Sequence, residues 1–372
     1  MTDSTVLADR EALAAIAVEG RALIRSLQEP TGAYPASPTF SAYRGYSWFR
    51  DGAFIADAMS AGGDAASAEA FFDWCARVIV DRRAQIERIV AAADAGEPVA
   101  GEDMLAARFA FDGSDGTDEW WDFQLDGYGT WVWAVAAHVA RHDTDSAQWI
   151  DAIELTVRYL ASSWQRACFD WWEMHADRVH ASTLGCIVAG LRAAAALTHI
   201  DPAVAALARS SAEEAERMLR GDAVHGDHLA KWVGSDAVDA SCAALIGLME
   251  VLPTDDPLAR ATLRELDAQL VVDDGMHRFL DDTYFGGGQW PLLGCFLGLA
   301  WARAGDRERA LELLRFAAST AHAGGMPEQV DRHLLDPSYV DEWVERWGPS
   351  ADPLLWSSAM FLRLAVELGV AE

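Results

Sequence analysis

The chain has 372 residues, 51% of them hydrophobic, and carries 58 Asp and Glu against 29 Lys and Arg, a formal charge of −29. So acidic a surface repels phosphate backbones and anionic lipid, which argues against nucleic acid and membrane partners and leaves neutral sugars, amines and metal ions. Cys75, Cys168, Cys186, Cys242 and Cys295 are scattered and lack metal-ligand spacing, so they read as small buried residues in a reducing compartment. The start shows no basic-then-apolar leader and no apolar run reaches bilayer length, so a cytoplasmic protein is expected.

Ala, Leu and Glu recur at helical spacing and period-two alternation is nearly absent, so the chain reads as all-α. About twelve helices are expected, over roughly 8–27, 51–62, 64–94, 122–141, 145–162, 180–198, 202–220, 236–251, 255–270, 290–304, 306–321 and 352–368. The odd members tend to be amphipathic and charged, as in "ALARSSAEEAERMLRG". The later even members are apolar nearly all round, as in "ASTLGCIVAGLRAAAAL" and "WPLLGCFLGLAWARAG". An amphipathic helix faces water on one side and an all-round apolar helix is enclosed. The alternation therefore predicts an outer and an inner ring, an (α/α)6 barrel. No linker or composition shift divides the chain, so one domain over 1–372 is expected. A solenoid of helical pairs is the alternative, but no sequence repeat supports it.

The long connections precede the even helices, which gathers them at one end of the barrel, where functional loops are expected. The first carries "YRGYSWFRDGAF". Asp51 reads either as a helix N-cap or, with Arg50, Tyr46 and Trp48, as a group that hydrogen-bonds sugar hydroxyls. The second, "DGSDGTDEWWDFQLDGYGTW", offers Trp120 and Trp121 as a flat platform. Its carboxylates Asp112, Asp115, Asp118 and Glu119 lack the spacing of a calcium loop and read as a solvated acidic stretch.

The third, "DWWEMHADRVHAS", sets Glu173 directly after Trp171 and Trp172. Indole faces beside a carboxyl would desolvate its charged form and raise its pKa, as a general acid requires. His175 and His180 have no third ligand, so no zinc site is expected. The fifth, "HRFLDDTYFGGGQWPLLG", holds Arg278, Trp290 and a glycine run that permits close backbone approach. The sixth contains Glu328 and Gln329, and by itself Glu328 reads as an exposed loop glutamate. Two carboxyls from opposed loops at one barrel end would suit an inverting glycosidase, which needs them roughly 6.5–9.5 Å apart around a water.

The blocks "YSWFRDGAF", "FQLDGYGTW", "WWEMHADRVHAST", "YFGGGQWPLL" and "MPEQ…PLLWSSAMF" occur in the order seen in glycoside hydrolase family 15, and the resemblance spans residues 43–366. It implies the (α/α)6 fold and inverting hydrolysis of a terminal α-glucosyl unit, without a cofactor or metal. It implies Glu173 as general acid and Glu328 as general base. Arg50 and Asp51 would hold the hydroxyls of the terminal glucose, and Trp120 would contact substrate and steady the acid. Trp121, Trp172, Arg278, Trp290 and Gln329, with Tyr46 and Trp48, would line the substrate site. The sequence departs from the family pattern where a tyrosine helps hold the water: Arg44 stands there, with Tyr43 and Tyr46 as substitutes. The absence of an N-terminal β-sandwich and of a starch-binding module points to a small oligosaccharide, with isomaltose-type α-1,6-glucosides expected first and α-1,4-glucosides or trehalose as alternatives. A sugar epimerase and a non-catalytic sugar binder are the readings from other classes.

Overall fold

A computed structural model describes residues 3–371, with side chains from residue 9 onward. Among the described residues the chain runs α1 (Asp3–Leu27), β1 (Tyr46–Trp48), α2 (Phe49–Ala61), α3 (Ala65–Asp81), α4 (Arg83–Asp94), β2 (Arg108–Ala110), α5 (Asp126–His142), α6 (Ile150–Ser163) and α7 (Ala181–Ala196). It continues with α8 (Pro202–Gly221), β3 (Val224–His225), β4 (His228–Leu229), α9 (Cys242–Gly247), α10 (Pro257–Leu270), β5 (Val271–Val272), β6 (Gly275–Met276), α11 (Pro291–Arg303), α12 (Arg307–Ala318), α13 (Val340–Trp347) and α14 (Leu355–Glu367). The strands form three short antiparallel ribbons, β1–β2, β3–β4 and β5–β6.

The helices α2, α5, α7, α9, α11 and α14 pack in sequence and close on themselves, α14 against α2. Outside them, α1 packs on α14, α3 on α2, α6 on α5 and α7, α8 on α7, α10 on α9 and α12 on α11. This is the (α/α)6 barrel, and its inner ring consists of the even helices of the expected series, the later of which read as apolar nearly all round. Burial explains the composition: α11 is buried without a break from Pro291 to Ala300, and α14 from Leu355 to Ala365. Small residues let the inner helices approach. A Cβ on Gly129 of α5 would stand 2.3 Å from the Cys186 carbonyl oxygen of α7, and one on Gly190 of α7 would stand 2.4 Å from the Gly129 oxygen.

The two rings start their helices differently. The outer helices α3, α8, α10 and α12 begin at Asp64, Asp201, Asp256 and Asp306, whose side chains accept the orphan N–H groups of the first turn. The six inner helices begin at Trp48, Leu125, His180, Ser241, Trp290 and Leu354, without a side-chain cap. All six of these N-termini adjoin the long loops, so the partly positive ends of the inner helices point toward that end of the barrel.

The expected helix over 64–94 divides between Asp81 and Arg83. Arg82 leaves helical geometry, and its guanidinium bonds the Val78 and Gly113 carbonyls and Asp115, fastening the second loop. The helix expected over 236–251 shortens to α9, because Asp239 accepts the Ser241 N–H and hydroxyl in a local turn that competes with helix. The helix expected to begin at 122 starts at Asp126, and α13 forms in the sixth connection, which was read as loop. Among the described residues, no helix is long and apolar enough to cross a membrane.

Candidate active site

The loops before the inner helices surround a cavity with about 930 Å³ of empty space. Nine of the sixteen tryptophans of the chain line it, so the tryptophan excess belongs to this cavity more than to the core elsewhere. Among the residues singled out from the sequence, Trp48, Arg50, Asp51, Trp120, Trp121, Trp172, Glu173, Arg278, Trp290 and Glu328 all face it. Tyr46 and Gln329 do not. The Tyr46 ring lies under the Arg108 guanidinium and its hydroxyl donates to Asp118, which fastens the second loop. The Gln329 amide accepts the Gly288 N–H and donates to the Tyr284 carbonyl, behind the wall.

Glu173 is half-buried and has left-handed backbone geometry, φ 61°. Asp170 builds this turn: its Oδ1 accepts the N–H groups of Trp172 and Met174, each at 2.9 Å, and its carbonyl accepts the Glu173 N–H. The turn swings Glu173 away from its tryptophan neighbours. Trp171 packs on Phe54, Phe296 and Trp356, and Trp172 donates its indole N–H to Asp239. The expected shielding by their ring faces is replaced by indole edges from other loops. Trp48 Nε1 (2.7 Å), Trp120 Nε1 (3.0 Å) and Gln124 Nε2 (3.2 Å) all donate to Glu173 Oε1, and among the described residues no donor reaches Oε2. A carboxylic acid so held would accept through Oε1 and present a proton on Oε2.

Glu328 is 1% exposed, which corrects its reading as an exposed loop residue. It leads toward α14, where its N–H donates to the Ala351 carbonyl. Tyr43 donates to Oε1 at 2.9 Å and Tyr284 to Oε2 at 3.1 Å. Burial pushes the Glu328 carboxyl up to about 7, against the opposing pull of the Tyr43 hydrogen bond, the Arg278 charge and the Tyr284 hydrogen bond. The turn over 40–46 faces Tyr43 inward and leaves Arg44 exposed, so of the two tyrosines named as substitutes it is Tyr43 that reaches Glu328. The Tyr43 ring meets the Trp48 ring edge-to-face at 5.3 Å. One wall of the cavity thus runs from Glu173 through Trp48 and Tyr43 to Glu328.

Arg50 and Asp51 open α2 at the cavity floor. Arg50 donates to Gln124 (2.7 Å) and Asp126 (3.0 Å), and its Nε lies 3.3 Å from Asp51 Oδ2. Burial pushes the Asp51 carboxyl up to about 6, with Arg50 pulling it down. Arg278 is fixed by Asp282 and stands among Trp172, Tyr284 and Trp290, with its guanidinium 4.9–5.2 Å from their ring centroids. Such cation–π contacts hold a buried guanidinium without neutralising it.

Tyr284, Trp343 and Trp347 also line the cavity and were not singled out from the sequence. Trp343 and Trp347 stand one turn apart on α13. Trp343 donates to the Thr283 carbonyl, and Trp347 stacks on Trp120 with ring centroids 6.0 Å apart. The i, i+4 pair in "VDEWVERW" was the available signal, hidden in a polar stretch.

Two carboxyls with opposite donor patterns in an aromatic cavity are suited to moving protons around a sugar. The profile of glycosyl hydrolases family 15 matches residues 12–329. The chain belongs to this family. It is a glycoside hydrolase with the family 15 barrel. It is similar to the isomaltose glucohydrolase of Kribbella flavida, 47% identical over 357 residues that cover 95% of this chain and 93% of the relative. Among solved structures it is similar to a wild-type glycosidase, 46% identical with a TM-score of 0.96 over 100% of both chains, and to a variant glycosidase in complex with glucose at 45% and 0.96, likewise over 100% of both. A bacterial glucoamylase complexed with acarbose shares the fold at 19% identity and a TM-score of 0.69, over 96% of this chain and 56% of the other.

Proposed function

We propose that this family 15 enzyme removes the terminal glucosyl unit of isomaltose and short α-1,6-glucosides with inversion, releasing β-glucose. Residues 1–372 act as one catalytic domain, in the cytoplasm, on a small sugar and without metal or cofactor. The observation that carries the mechanism is the contrast between Glu173, with every donor on one oxygen, and Glu328, with one phenol on each. Glu173 gives its Oε2 proton to the glycosidic oxygen as the bond from that oxygen to C1 breaks. A water held near Tyr43, Tyr284 and Glu328 attacks C1 from the opposite face and passes its proton to Glu328. Arg50 and Asp51 bind the hydroxyls of the departing glucose, and Arg278, Trp172 and Trp290 form the wall beside it. Trp120, Trp121 and Trp347 offer apolar faces to the leaving sugar.

The α-1,6 preference is supported by the 47% identity to an isomaltose glucohydrolase across nearly the whole of both chains. Isomaltose, maltose and trehalose hydrolysed side by side test it. The highest kcat/KM is expected for isomaltose, and a higher value for either of the others overturns the linkage assignment.

A further inference from the structure

Beneath the loop that carries Glu173 lies an ionic group outside the cavity lining. Lys231, in the connection between β4 and α9, is 3% exposed. Its Nζ stands 3.1 Å from Asp239 Oδ2 and 3.9 Å from Asp170 Oδ2, and both of these carboxylates are buried as well. A buried lysine is costly to desolvate, and here it faces two carboxylates instead of one. Its ammonium also sits over the Phe279 ring, 5.7 Å from the Trp232 ring centroid, and makes no aligned hydrogen bond.

Both carboxylates hold the same short segment, and both act on Trp172. Asp170 accepts the backbone N–H on either side of Glu173, from Trp172 and from Met174. Asp239 accepts the Trp172 indole N–H at 2.9 and 3.1 Å, together with the Ser241 N–H and hydroxyl. Glu173 lies between these anchors in left-handed geometry, which a non-glycine residue adopts only when its surroundings impose it. Without the ammonium, two buried carboxylates would repel each other across Trp172. The Lys231 backbone adds a further tie, since its carbonyl accepts the Ala181 N–H at the start of α7.

We propose that Lys231 is a positioning residue for the general acid: by bridging Asp170 and Asp239 it fixes Trp172 and Met174, and through them it aims the Glu173 carboxyl at the glycosidic oxygen. This rests on the assignment of Glu173 as the acid.

A substrate that does not need the acid separates positioning from general structural damage. The fluoride of α-glucosyl fluoride leaves as an anion without protonation, while the same attack by water still needs Glu328. Lys231→Met is expected to lower kcat on isomaltose about 10- to 100-fold, the cost of a small misplacement of a reacting group, with the fluoride reaction and both KM values nearly unchanged. Lys231→Arg, which keeps the charge, should recover part of the loss. An equal fall on both substrates, or no fall on isomaltose, overturns the proposal. Should Lys231→Met not fold, Asp239→Asn removes one charge and keeps an acceptor for the indole, and the same selective loss is required of it. Glu173→Gln measured alongside distinguishes the two possible failures. If it too loses both substrates equally, the acid assignment falls and the role of Lys231 with it. If Glu173→Gln is selective and Lys231→Met is not, only the role of Lys231 falls.

Discussion

The surroundings of the two glutamates differ in donor chemistry and in burial. Glu173 is half-buried, and rigid indole and amide N–H groups converge on one of its oxygens. Glu328 is fully buried, and a phenol hydroxyl meets each of its oxygens. An indole N–H can only donate, so it fixes Oε1 of Glu173 as an acceptor, and among the described residues Oε2 has no donor. A phenol hydroxyl donates to a carboxylate yet retains lone pairs, so Tyr43 and Tyr284, whose hydroxyls stand 3.3 Å apart, can also accept from a water beside them. In the proposed mechanism the same side-chain type thereby gives a proton at one place and takes one at the other. Burial raises the proton affinity of Glu328, which makes it a stronger base once ionised.

Removing either carboxyl breaks this contrast outright. Glu173→Gln and Glu328→Gln are each expected to lower kcat by about 10²–10⁴-fold with isomaltose still bound, and near-normal turnover in either variant would reject its role. Tyr43→Phe sharpens the comparison on one side only. It removes a hydrogen bond to a charged group, worth about 1.5–3 kcal/mol, so a fall in kcat/KM of about 10- to 100-fold is expected. That bond favours the ionised form of Glu328, so without it the acidic limb of the kcat/KM profile should move to higher pH. In the wild type this limb should lie near 7, with activity rising as Glu328 ionises. A limb left in place by Tyr43→Phe would separate Tyr43 from the base.

A smaller effect is expected on stability. The folded-state pKa of Glu328 lies above its ordinary value of 4.5, so the wild type loses stability as pH rises from there through about 7. Glu328→Gln escapes that loss. The difference in Tm between variant and wild type should therefore be larger at pH 8 than at pH 4, and equal differences would show that burial does not strain this carboxyl.

The barrel was legible because enclosure demands it: a helix surrounded on all sides cannot carry a polar stripe, and α7, α11 and α14 have none. The end that bears the site was legible from the connections, since the long ones precede the inner helices. What stayed hidden depends on contacts between loops. Buried Glu328 meets Tyr43 from the first loop and Tyr284 and Arg278 from the fifth, all far from it in the chain. The partners of Glu173 come from the first and second loops, whereas sequence adjacency pointed to Trp171 and Trp172. A local turn set by Asp170 decides which tryptophans meet Glu173, and no periodicity reports it. Trp347 was missed because α13 forms among acidic residues, held down by its rings and not by an apolar stripe of ordinary length.

The most direct test of the account is the anomer first released from isomaltose, followed by proton NMR from the earliest minutes. Attack by water across the sugar from Glu173 predicts β-glucose, with α-glucose appearing only later as the anomers equilibrate. Initial α-glucose would contradict the account, because retention needs a carboxylate close enough to bond C1 itself, and Glu328 would then be a nucleophile and not a base.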